Sequence, residues 1–156
     1  MEYMNRRQFL KKSTITVVVT STCLCSLNSC ATITKNGSTP AINLDSLTFS
    51  DNILAIDLSK ETNLDKVGGA VKIKHNDIPN GIIIARVDDD KFAIASLLCP
   101  HRGVEVEYDH SQDHFKCASL GSSKFTLEGE YISGPAKKPL KEYEAALKDN
   151  ILTIKI

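Results

Sequence analysis

The chain has 156 residues, room for one compact domain plus a leader, since a single core forms in about 100 to 150 residues. Its formal charge is zero, but four bases and one acid fall in the first 30 residues, leaving 15 basic against 18 acidic side chains in the rest. That mildly acidic body argues against nucleic acid as a partner, and its two cysteines, Cys99 and Cys117, are too few for a disulfide scaffold, so it must fold on a hydrophobic core.

Arg6 and Arg7, followed by Phe9, Leu10 and Lys11, resemble a twin-arginine export signal. The apolar run from Ile15 to Leu27 is too short and too rich in Ser and Thr to span a bilayer, which needs about 20 apolar residues, and reads as the core of a signal peptide. Leu27, Asn28, Ser29 and Cys30 are similar to a lipobox, with Cys30 the residue that receives lipid and becomes the new N-terminus. The alternative is an uncleaved anchor helix over residues 1–30, with Cys23, Cys25 and Cys30 serving as small apolar residues. The lipoprotein reading places the protein outside the cytoplasm, in the cell envelope, with the membrane as a partner through the lipid. Twin-arginine signals are addresses read by a receptor, and the pathway carries folded proteins, which suits a chain whose cofactor is inserted before export. Residues 31–45 are small and polar without periodicity, the composition of a flexible tether, and the domain is expected over 46–156.

From Ile53 onward, apolar residues come in short β-branched runs: Ile53 to Asp57, Val71 to His75, Ile82 to Val87 and Phe92 to Leu97. This is strand spacing, and nothing of helical length interrupts it. Asp88, Asp89 and Asp90 are expected to form a solvated hairpin turn; turn chemistry accounts for the triplet without a metal. Further strands are expected at Phe115 to Ala118, Lys124 to Leu127, Lys141 to Leu147 and Ile151 to Ile156. The fold class is therefore all-β, an antiparallel sandwich or small barrel.

Cys99, Pro100, His101, Arg102 and Gly103 follow the strand ending at Leu97. A thiolate and an imidazole two positions apart on a turn can bind metal, although a buried cysteine beside an exposed histidine is the commoner cause of such a pair. The wider setting strengthens it: Cys117 follows, then Gly121, Ser122, Ser123, Lys124 and Phe125, then Gly129, Gly134, Pro135, Ala136, Pro139 and Leu140.

These residues resemble the Rieske iron-sulfur family, which pairs a CTHxG loop with a CPxHGS loop, then an FD turn and a GPA segment that caps the cluster. The likeness extends over nearly all of residues 50–156 and implies a Rieske-type antiparallel β sandwich with two cluster-binding loops. It implies a 2Fe-2S cofactor, with Cys99 and Cys117 on one iron and His101 on the other, the imidazole raising the potential above that of all-cysteine clusters. The fourth ligand is missing: Leu120 stands three residues after Cys117, Ala118 replaces the loop proline, and one extra residue lies before Phe125. By resemblance Ser122 is the serine that donates to a cluster sulfur, and Phe125 lies near an aromatic that does the same only when it is tyrosine. Val104 and Ser119 stand where some members carry a disulfide and cannot form one.

His114, His110 and His75 are the other imidazoles. His114, and less so His75, is an alternative fourth ligand, but the default for both is an exposed strand residue, and His114 points away from Cys117 by strand parity. Ser119, Ser122 or water is a poorer donor to iron than imidazole. The expected function is an electron-transfer protein of the cell envelope, a carrier and not an enzyme, serving a redox partner protein the sequence does not identify. The alternatives are a cluster-free fold acting as a binding or structural module, and a mononuclear metal site on the three remaining ligands.

Overall fold

The computed structural model describes residues 38–156; the signal-peptide and lipobox readings, Cys30 included, lie outside the described residues, as do residues 31–37 of the expected tether. Among the described residues no helix is long and apolar enough to cross a membrane. The strands are β1 (Leu47–Ser50), β2 (Ile53–Asp57), β3 (Ala70–His75), β4 (Ile78–Asp88), β5 (Lys91–Ser96), β6 (Val106–Asp109), β7 (His114–Cys117), β8 (Lys124–Phe125), β9 (Tyr131–Ser133), β10 (Ala145–Lys148) and β11 (Ile151–Lys155). Helical structure among them is confined to short 3-10 turns at Leu44–Ser46, Leu58–Lys60 and Thr62–Leu64.

The strands form three antiparallel sheets, ordered β1-β2-β11-β10, β3-β4-β5 and β6-β7-β8-β9. The middle sheet divides the interior. In β4 every residue from Gly81 to Ala85 is buried, because both faces are covered. Ile82 and Ile84 join Leu54, Ile56, Leu152 and Ile154 of the first sheet in one core. Ile83 and Ala85 face the other way, with Ala93 and Ala95, and their neighbours there are Tyr108, Phe115, Phe125 and both body cysteines. Small alanines on the middle sheet leave room for three aromatic rings, so volume is matched across the interface.

Turn chemistry closes the hairpins. Asp51 and Asn52 join β1 to β2 with φ of 49° and 62°, and Asp149 and Asn150 join β10 to β11 with the same pair of values. Both central residues at positive φ define the turn that matches strand twist, and Asn and Asp tolerate it. The expected turn at Asp89 and Asp90 joins β4 to β5, and the Arg86 guanidinium donates to the Asp89 carbonyl from beneath it.

The expected tether is shorter than its composition suggests. Lys72 N–H donates to Pro40 O at 2.8 Å and Ile42 N–H returns to Lys72 O at 2.9 Å, a two-bond bridge along the edge of β3. Thr39 N–H donates to Glu107 Oε2 at 2.9 Å, and Asn43 N–H to Glu61 Oε2 at 2.6 Å, where Glu61 is 1% exposed. A strand edge and two carboxylates needing donors thus draw residues 39–43 onto the domain. Lys72, itself buried, pairs with Glu105 at 3.1 Å and with Glu107, tying β3 to the loop and strand that lead into the third sheet. Lys74 also meets Glu105, and these two lysines, Lys74 first, hold the Glu105 carboxyl below its usual range.

Candidate metal centre

Two loops leave the second core at neighbouring points. After β5 the chain continues through Leu97, whose N–H donates to Gly81 O at 3.1 Å and whose carbonyl accepts from Val106 N–H at 2.9 Å. Leu98 pairs with Glu105, Cys99 N–H donates to Val104 O at 2.8 Å, and Gly103 N–H returns to Cys99 O at 2.9 Å. The first loop is therefore a closed hairpin tip, and Gly103 at φ +65° is the residue that permits its reversal. Cys99 points down into the core at 1% exposure, while Pro100, His101 and Arg102 stand in solvent.

The second loop starts where β7 ends. Cys117 is 2% exposed, and its N–H donates to Ser123 O at 2.8 Å across the loop neck. Ala118 N–H donates to Glu105 O at 2.9 Å, so the second loop is hydrogen-bonded to the first. Cys117 Sγ donates to Ser119 Oγ at 3.2 Å inside the protein. Above this lies the segment Gly134, Pro135, Ala136: Ala136 N–H donates to Ser123 Oγ at 3.0 Å, and a Cβ on Gly134 would come within 2.6 Å of Ser123 Cα. The cap is fitted directly against the loop, as the family pattern implies.

Both thiols lie in the second core. Burial pushes the Cys99 thiol up, and its contact with the Cys117 thiol adds to the rise. The backbone N–H of His101 and the Ser123 hydroxyl work in the opposite direction, since each donor toward sulfur favours the thiolate. Both cysteines are free.

Ser122, expected to face the site, does not. Its hydroxyl donates to Ser119 O at 3.0 Å, and its backbone is left-handed at φ +40°. Ser123 is the fully buried hydroxyl, in contact with Cys99 and with the cap. The reason lies in loop length: the extra residue bulges at the exposed tip, where space is free, and Ser123 keeps the inward place. Counting forward from Cys117 puts Leu120 at the second histidine's position, and counting back from Ser123 puts Gly121 there. Leu120 is 64% exposed and Gly121 has no side chain. Phe125 is wholly buried and pairs with Phe115 across β7 and β8, part of the core and not of the loop tip.

The remaining imidazoles lie elsewhere. His114 is 4% exposed, contrary to the expected exposed strand residue; its Nδ1 approaches Gln112 O at 3.3 Å, and its buried Nε2 has no hydrogen-bond partner. It flanks Phe115, which shares the cysteines' core, from the opposite face of β7. His110 is exposed beside Tyr108 and Asp113, and His75 is exposed beside Asp77. Among the described residues no three His, Cys, Asp or Glu side chains converge on a single ion, which counts against the mononuclear three-ligand reading. The residues fit the cysteine half of a two-iron cluster: two thiols from two bonded loops, in a dry core, with donors toward sulfur. Sequence reasoning missed Ser123 and the Glu105 carbonyl that joins the loops; the Ser123-Lys124-Phe125 spacing, matched to the family's serine and aromatic, was the available signal.

Three antiparallel sheets carry two free, buried cysteines on two loops hydrogen-bonded to each other, an all-β domain with a candidate cysteine site. The Rieske [2Fe-2S] domain family matches residues 55–144, and the chain belongs to that family, whose domain binds a 2Fe-2S cluster. It is 33% identical over 91 residues to a cytochrome b6-f complex iron-sulfur subunit of Chlorobaculum tepidum, covering 52% of this chain and 50% of that one. It is 39% identical over 51 residues to a putative Rieske 2Fe-2S iron-sulfur protein of Bacillus subtilis, 33% of this chain and 10% of the other. The chain thus spans about half the length, or less, of these curated relatives. Among solved structures, the ferredoxin of carbazole 1,9a-dioxygenase from Nocardioides aromaticivorans IC177 superposes with a TM-score of 0.50 at 18% identity, covering 60% of this chain and 91% of that one. A chain of the complex of oxygenase and ferredoxin in carbazole 1,9a-dioxygenase gives 0.57 at 17% identity, covering 68% and 94%. These likenesses show the all-β antiparallel fold.

Proposed function

We propose that this chain is a one-electron carrier of the cell envelope whose cluster site supplies three protein ligands, Cys99, Cys117 and His101. The observation that carries the reading is the burial of both thiols in the second core, on loops bonded to each other through Ala118 and Glu105. A 2Fe-2S cluster held there supplies reversible one-electron chemistry, and histidine ligation raises its potential. The chain's own residues divide the work. Cys99 and Cys117 would hold one iron and the exposed His101 the other, toward the redox partner, while the His101 N–H and the Ser123 hydroxyl would steady the Cys99 sulfur. Leu120 and Gly121 offer no fourth ligand, so the set is incomplete. The likeness to a cytochrome b6-f complex iron-sulfur subunit supports a carrier role rather than catalysis. The leader, with Arg6, Arg7 and Cys30, supports export and attachment to a membrane by lipid, and the mildly acidic body supports a protein rather than nucleic acid as partner.

A second reading, a cluster-free module, is favoured by one observation, the solvent exposure of Leu120 where an imidazole would be needed. Reductive titration of membrane-extracted protein separates them. A carrier shows a visible absorbance that bleaches reversibly with about one electron per chain. Protein without such absorbance after anaerobic extraction would sink the carrier reading in favour of the module.

A further inference from the structure

We propose that the open edge of β10 is a self-pairing surface, on which a second copy of this chain adds its own β10, antiparallel, about a two-fold axis at Ala146. The domain covers or blunts its other sheet edges. Residues 40–42 lie along β3, and Tyr108 N–H on β6 donates to Thr39 Oγ1. Along β5, Ser96 N–H donates to Lys141 O and Tyr143 N–H to Ile94 O. On β1 the Leu47 N–H is taken by Leu44 O, and the ladder to β9 is broken by a register shift at Lys124 and Phe125. The strand β10 has none of these protections. It ends its sheet, pairs with β11 without a register shift, and is exposed at Ala145, Ala146 and Lys148, as is Glu144 just before it.

Backbone parity decides which groups are free. Lys155 N–H donates to Glu144 O, and bonding residues alternate along an antiparallel ladder, so Glu144, Ala146 and Lys148 face β11. Ala145 and Leu147 therefore turn their N–H and C=O groups to the open edge, where among the described residues they have no backbone partner. One antiparallel register lets these two residues satisfy each other. Ala145 opposite Leu147 of the second copy, with Ala146 opposite itself, makes four N–H to O bonds. A register centred on Ala145 sets Leu147 against Tyr143, whose N–H already goes to Ile94 O. One centred on Leu147 sets Ala145 against Asp149, in the turn at φ +49°. Registers offset by one residue put free groups opposite groups already bonded to β11.

The charges select the same register. It sets Glu144 opposite Lys148 twice, at non-hydrogen-bonded positions, where Cα atoms lie about 4.5 Å apart and side chains meet most closely. Neither residue makes an ion pair among the described residues. An acid and a base at the two ends of this segment attract their counterparts only in the antiparallel sense, since a parallel pair sets like against like. Alanine at the axis lets the two backbones close. Five residues per copy make a small interface, so the pair is reversible.

The test traps the pair at its axis. In the full mature chain, Ala146→Cys places two thiols at a non-hydrogen-bonded pair, whose Cα spacing of about 4.5 Å a disulfide spans. Oxidation with copper phenanthroline should give a disulfide-linked dimer on a non-reducing gel, reversed by reductant. The unsubstituted chain, in which Cys99 and Cys117 are buried, is the blank. Thr48→Cys, exposed on β1 at the far edge of the same sheet, reads random collision and should stay monomeric. Adding Lys148→Glu to Ala146→Cys sets acid against acid and should slow the cross-link by about tenfold. Adding Glu144→Lys as well restores opposite charges and should restore the rate. No cross-link from Ala146→Cys, equal cross-linking from Thr48→Cys, or no recovery on adding Glu144→Lys would each overturn the proposal.

Discussion

Replacing Leu120 with His while deleting Ser122 should raise the iron content without unfolding the domain. The double change restores the order Cys-x-x-His-Gly-Ser and leaves Ser123, Lys124 and Phe125 at the family spacing. Leu120 is 64% exposed, so its replacement should cost no more than about 0.5 kcal/mol. Deleting Ser122 removes a left-handed non-glycine backbone at φ +40°, a relief of about 1 kcal/mol. It also removes the two hydrogen bonds from Ser122 to Ser119 O, each contributing about 0.5 to 1.5 kcal/mol. The net cost, about 2.5 kcal/mol or less, stays below a domain stability of about 5 to 15 kcal/mol. Iron and acid-labile sulfide should rise toward about two of each per chain, measured beside a thermal melt. Leu120→His alone should gain less, because the bulge misplaces the imidazole. Gly121→His is the wrong alternative, since a Cβ there lies 2.9 Å from Pro135 Cγ. A double variant that melts like the parent and holds no more iron would refute the claim that one ligand and one residue of loop length limit occupancy.

Cys30→Ser should move mature protein from the detergent fraction to the soluble fraction, or stall precursor in the membrane, by fractionation and mass spectrometry; wild-type protein freely soluble without detergent would contradict lipidation. Gly134→Ala should destabilise by about 1 to 3 kcal/mol, because its φ is +102° and the new Cβ meets Ser123 Cα at 2.6 Å; an unchanged melting temperature would show that the cap is not fitted to the loop. Tyr108, buried and donating to Asp113 at 3.1 Å, has its hydroxyl pushed up to about 12. The unfolded chain loses this proton near pH 10, so the stabilisation is complete below that and declines as pH rises toward 12. Tyr108→Phe should remove that part of the alkaline loss in melts recorded across this range, and identical pH slopes would reject the assignment.

The β-branched runs were legible because β4 and β11 each keep their buried positions under simple patterns, continuous in one and alternating in the other. Hairpins at Asp51-Asn52 and Asp149-Asn150 carry no glycine, so the positive φ that closes them has no strong sequence mark. Residues 39–43 read as tether because their composition is polar. What holds them is remote: a strand edge at Lys72 and carboxylates at Glu61 and Glu107. His114 was read as exposed because a polar residue on the far face of a strand usually meets solvent, and burial there depends on packing that periodicity does not encode. At the site, spacing marks the two cysteines and puts Leu120 where the family pattern has a histidine. Which serine faces inward was not, because counting from Cys117 cannot say where a one-residue bulge falls; the fit of Ser123 beneath Gly134 and Ala136 decides it.

The most direct test is the iron and acid-labile sulfide content of the wild-type chain, matured through its own export pathway and purified without air. Iron and sulfide are expected in equal amounts, at less than about two of each per chain, and lost together in Cys99→Ser and in Cys117→Ser. Iron and sulfide absent from the wild type would contradict the incomplete-cluster reading, and so would full, air-stable occupancy, which would require a fourth ligand that neither Leu120 nor Gly121 supplies.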